Sequence, residues 1–159
     1  MLSNLPSLPH ININNNMKAF LCILGLIMLI DLPMILFINR DMYMEQLNRI
    51  NGCDSCFSIR SIFASIICYI LLTFGIYYFG IREKNFVNAI LFGLVVYGVY
   101  NMTNLATIQK FGLKESIIDT MWGAIMCGVV AFIVIKVNFI TTPINFANFF
   151  GSDNAVTNT

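Results

Sequence analysis

Charge is what this sequence has least of. Asp, Glu, Lys and Arg make up only 11% of its 159 residues, against roughly 25% in a soluble domain, and the formal net charge is +1. That composition excludes a fold wetted on every face. The lack of a basic cluster also excludes electrostatic binding of nucleic acid, which needs Lys and Arg gathered on one side. Histidine is all but missing, with His10 the single copy, so no Ser-His or Cys-His pair is at hand for nucleophilic catalysis. A basic n-region is missing from "MLSNLPSLPHININNNMKAFL", so residues 1–16 read as a polar tail rather than a signal peptide. Internal repeats are absent too.

Apolar residues are what the chain has in plenty, 58% by count. They gather into four runs, about 17–39, 61–80, 86–108 and 116–139, each near the roughly 20 residues that cross a hydrocarbon core. None alternates apolar and polar residues as a barrel strand would, and in lipid only helices or closed barrels satisfy the backbone. The fold expected is an all-α integral membrane protein, an antiparallel four-helix transmembrane bundle over 17–139. Short links, "IREKN" and "QKFGLKE", make consecutive helices neighbours. In the longer first loop Tyr43, Leu47 and Ile50 recur at helical spacing before Asn51-Gly52, which predicts a short helix lying at the membrane interface. Beyond Pro143, Phe146, Phe149 and Phe150 suit an interfacial segment, and 140–159 ends as a polar tail. Lys18, Arg82, Lys84 and Lys136 flank one side of the bundle and Arg40, Arg49, Arg60, Lys110 and Lys114 the other. Four against five sets no orientation.

Polar side chains inside these runs are costly and point to function by default. Asp31 lies about 12 Å below the loop-one end of its span, Asn101 and Asn104 about 6 to 10 Å from the loop-three end of theirs, and Asp119 a few residues in from that same side. Antiparallel helices bring these depths together. The candidate site is therefore Asp31, Asn101, Asn104 and Asp119, edged by Tyr97, Tyr100, Thr103 and Trp122, which share helical stripes with them. Two readings stand side by side: a site for a small solute, proton or lipid headgroup, or interhelical glue at about 0.6 to 2 kcal/mol per bond. Because no basic residue accompanies the two aspartates, at least one must be neutral, face water, share a proton or hold a cation. Pro33 frees a backbone carbonyl near Asp31.

Other chemistry finds little support. "GCDSC" places Cys53 and Cys56 as a C-x-x-C, a candidate local disulfide if that loop faces an oxidising compartment. Zinc is not expected, since a closed site needs four ligands. Cys22, Cys68 and Cys127 read as packing residues. No G-x-G-D signature accompanies either aspartate, so neither an enzyme nor a cofactor is expected.

The run "YGVYNMTNLATI" followed by "IIDTMWG" resembles the paired signatures Y-x-x-Y-D-x-T-N-L-A-T and D-x-x-W-G of domain of unknown function 2177. That is a family of small four-helix membrane proteins found mainly in bacteria, with relatives in large DNA viruses. "LIDLPMILFINRDMY" is similar to the family's opening D-x-x-W-L and later Tyr. The resemblance runs from Lys18 to about Val137, and it implies a membrane fold without implying an activity. Asn101 stands where the family has an acid, and Met34 where it has Trp. A viral relationship would suit the alternative role, a structural anchor in a viral membrane beneath a capsid with the tails docking onto partners. The location expected is a cell membrane or such a viral inner membrane.

Overall fold

A computed structural model describes residues 15–38, 40–51 and 59–137. The terminal tails and the Cys53–Cys56 pair lie outside the described residues. Within them are α1 (Asn15–Pro33), α2 (Arg40–Asn51), α3 (Ile59–Gly75), α4 (Phe86–Thr107) and α5 (Leu113–Val137), with no strand. π-helical turns extend α1 over Met34–Ile38 and α3 over Ile76–Ile81. Among the described residues four helices are long and apolar enough to cross a membrane: Met17–Ile38, Ile59–Ile81, Phe86–Thr107 and Leu113–Val137.

Local chemistry explains where the helices widen and stop. Pro33 has no N–H to give to the preceding turn, and the π-helical turn begins at the next residue. Between α3 and α4 the chain reverses in a few residues, with Arg82 N–H bonding to Tyr77 O and Asn85 N–H to Gly80 O, both at 2.9 Å. Lys84 there adopts φ 50, the left-handed conformation that tight reversals need. Asn85 then caps α4 by accepting from the Val87 N–H at 3.0 Å, satisfying one of the first-turn donors.

Large apolar side chains point outward, as in Phe37 at 80% and Leu29 at 70% exposure, because the surrounding solvent is hydrocarbon. Burial is therefore decided by fit rather than by polarity. Helix α5 is the centre of the bundle, with Met126, Cys127, Val130 and Ala131 packed against Ile23 and Ile27 of α1, Ile76 and Tyr77 of the second π-helical turn and Ala89 of α4. Helices α4 and α5 meet backbone to backbone. A Cβ on Gly93 would lie 2.6 Å from the Gly123 carbonyl oxygen and 2.9 Å from Ala124 Cα, so only hydrogen fits there. Of the three span cysteines, Cys127 is buried, whereas Cys22 and Cys68 are exposed. In lipid a thiol on the outer face costs nothing that hydropathy would register.

Candidate functional site

Asp31 sits on α1, 5% exposed, two positions before the proline that breaks the helix's bonding. Its Oδ1 accepts the Trp122 indole N–H at 2.9 Å and its Oδ2 the Tyr69 hydroxyl at 2.8 Å. One carboxylate thus joins α1, α3 and α5. Asp119, one turn from Trp122 on α5, does the same for the remaining helices: Oδ1 accepts the Tyr43 hydroxyl at 2.6 Å and Oδ2 the Asn101 amide at 2.8 Å. Asn101 is 1% exposed. Its Nδ2 also reaches Tyr97 O at 2.9 Å and Thr120 Oγ1 at 3.3 Å. Two N–H groups serve three acceptors, so one bond is shared.

Asp31, Asn101, Asp119 and Trp122 therefore come together as two adjacent knots in one polar layer. Tyr97 flanks it through its backbone carbonyl and its ring, which fills the space that a Cβ on Gly123 would need. Asn104 is one step further round α4 and is engaged with the Tyr100 hydroxyl instead. Thr103 is exposed, and its carbonyl accepts the Thr107 hydroxyl at 2.8 Å. Among the described residues neither Asn104 nor Thr103 bonds to a carboxylate.

Three participants are not singled out by sequence reasoning. Tyr69 lies ten positions into α3, about 15 Å along its axis, so its depth matches that of Asp31. Tyr43 stands out only as part of the apolar stripe of the loop-one helix, and Thr120 only follows its aspartate. That loop-one helix is α2. Beyond any contact with lipid it is tied to the bundle at both ends, through Tyr43 to Asp119 and through Arg49 to Glu115 at 3.1 Å. Burial, then the bond to Asp119, raises the Tyr43 phenol well above its ordinary value and keeps it a neutral donor.

Beside the polar layer runs a groove of about 480 Å³ between α3 with its π-helical turn and α4. Leu71, Leu72, Phe74, Gly75, Phe79, Phe92, Val96, Tyr97 and Tyr100 line it along with Cys68, and among the described residues Asp119 is the one charged side chain along it. Gly75 makes room for Phe92, whose ring occupies the place of a side chain there. Phe92 in turn stacks on Phe79 at 5.3 Å. Among the described residues no three His, Cys, Asp or Glu side chains are placed to hold a metal ion.

A family model described as "Predicted membrane protein (DUF2177)" matches residues 16–136, a stretch that contains both carboxylates, all of their partners and the whole groove. No curated protein and no solved structure matches the chain.

Proposed function

Because the chain belongs to the DUF2177 family of predicted membrane proteins, we propose a function exercised from within the bilayer: the groove binds an amphiphilic molecule from the lipid phase. The head lies toward Asp119 and the chain toward the stacked Phe79 and Phe92. The groove itself carries this reading, since its lining is apolar almost throughout and Asp119 is the one charged residue along it among those described. Its volume falls within the roughly 300 to 1,000 Å³ of small-molecule sites. Leu71, Phe74 and Val96 on its rim are exposed, so a ligand enters sideways from lipid without crossing water. Tyr43 and Asn101 hold the acid in place before anything binds, which lowers the ordering cost of binding.

A second reading has its own support. Both oxygens of both aspartates already accept bonds from the protein, as they would in a structural anchor whose polar layer is interhelical glue. That completeness also favours a clamp over a conduit for solutes or protons. The test is native mass spectrometry of the protein taken from its own membrane in lipid nanodiscs. A bound amphiphile is expected, and Val96→Trp, which fills the groove away from the polar layer, is expected to remove it. An unliganded protein whose assembly is indifferent to Val96→Trp would establish the anchor instead.

A further inference from the structure

The end of the bundle away from the two carboxylates is a cationic rim. There α1 begins, α3 turns into α4 and α5 finishes, and the charged side chains described are Lys18, Arg82, Lys84 and Lys136, with Glu83 as the one acid. Glu83 lies 3.7 Å from Arg82, so among the described residues Lys84 and Lys136 have no anionic partner. The opposite end differs. Asp41, Glu45 and Glu115 there accompany Arg40, Arg49, Arg60, Lys110 and Lys114, and Arg49 pairs with both glutamates. Cations at the edge of a bilayer attract anionic headgroups, and those left without an acid of their own keep that attraction in full.

Packing fixes where the two lysines stand. A Cβ on Gly80 would lie 2.7 Å from Ala89 Cβ and 3.2 Å from Ala131 Cβ, so the chain entering the turn is seated directly on α4 and α5. Lys84 follows, tied by its N–H to Ile81 O at 3.0 Å, two positions before Phe86 opens α4. Lys136, in the last turn of α5, holds its Nζ 5.8 Å from the centre of the Phe132 ring. Phe132 in turn meets Phe86 edge to face at 5.6 Å. Both rings are exposed, and no acid stands in the first turn of α4. The lysines thus flank the ends of two adjacent spans, at headgroup level, with a pair of open aromatic rings beneath them at acyl level. We propose that Lys84 and Lys136 bind the phosphate of an anionic phospholipid whose acyl chains start over Phe86 and Phe132. This site lies between α4 and α5, apart from the groove between α3 and α4.

Native mass spectrometry of the full chain in detergent tests this, by titration with phosphatidylglycerol and with phosphatidylcholine of identical acyl chains, the latter carrying its own cation. Each basic residue contributes roughly fivefold at an anionic surface, so the wild type is expected to bind the first phosphatidylglycerol at least about tenfold more tightly than phosphatidylcholine. Lys84→Gln combined with Lys136→Gln is expected to bring phosphatidylglycerol down to the level of phosphatidylcholine. Lys110→Gln combined with Lys114→Gln removes the same charge from the other end and is expected to leave the preference intact. All four lysines are exposed, and Trp122 emission confirms that each variant is folded. Equal affinity for the two lipids in the wild type would overturn the site. An equal loss of preference from either pair of substitutions would overturn it too, because net charge alone would then account for the binding.

Discussion

Trp122 donates its indole N–H to Asp31 at 2.9 Å, joining α5 to α1 across 91 positions of sequence. Because Trp122 is the only tryptophan in the chain, its fluorescence reports on this one bond. Asp31→Ala strands both the indole N–H and the Tyr69 hydroxyl, and is expected to cost about 2 kcal/mol or more, by the penalty for unpaired buried donors. Emission should shift to the blue as the carboxylate leaves the indole. Asp31→Asn keeps one acceptor and should lose about half as much. Thermal unfolding in nanodiscs followed at Trp122 separates the three proteins; equal stability in all of them would refute the clamp.

The Tyr43 phenol gives α2 a pH limit. Its value in the fold is raised above that of a free phenol by burial and by Asp119, so its contribution is fully present below the free value of about 10 and is lost as pH rises beyond it. Helix α2 is expected to stay docked at neutral pH and to loosen only in strong alkali, as read from a spin label on the exposed Leu47. Tyr43→Phe should leave α2 looser at every pH and remove the alkaline transition. A transition that survives the substitution would place its origin elsewhere.

Two glycines should respond in opposite ways. Gly93→Val drives a side chain into the Gly123 carbonyl and the Ala124 backbone, and neither is free to turn aside, so a loss of about 2 kcal/mol or more is expected. A Cβ added to Gly25 would meet nothing within 4 Å, and Gly25→Ala should be neutral or gain up to about 1 kcal/mol of helix propensity. Parallel unfolding curves of the two variants check this.

The Arg49–Glu115 pair is half open to solvent, with side-chain exposures of 36% and 14%. A double-mutant cycle of Arg49→Gln and Glu115→Gln is expected to give a coupling of at most about 1 kcal/mol. Added salt should shrink it, while the Tyr43–Asp119 bond is unaffected.

Run length and helical rise are enough to place the spans and to bring Asp31, Asn101 and Asp119 to one depth. Rotation about each helix axis is not legible, because residues facing lipid and residues facing the core are equally apolar in this chain. That is why depth groups Asn104 with the acids although it lies about 60° round the helix from Asn101 at 3.6 residues per turn and meets Tyr100. It is also why Tyr69, inside the unbroken run "IICYILL", gives no signal of its own. The groove is hidden for a different reason. It depends on Phe92 reaching over Gly75 where α3 passes into its π-helical turn, and no local sequence signal announces that change of winding.

Both carboxylate knots take a member from α5, which among the five described helices leaves the ribosome after the other four. Asp31 and Tyr69 can find each other as soon as α3 has entered the bilayer, but Tyr43 and Asn101 have no carboxylate to bond until Asp119 arrives. During synthesis the first four helices are therefore an open set, held at one end and uncommitted at the other. Arrival of α5 is the event that closes the polar layer, and a chain stalled before it would present the cell's membrane quality control with unpaired polar groups in lipid.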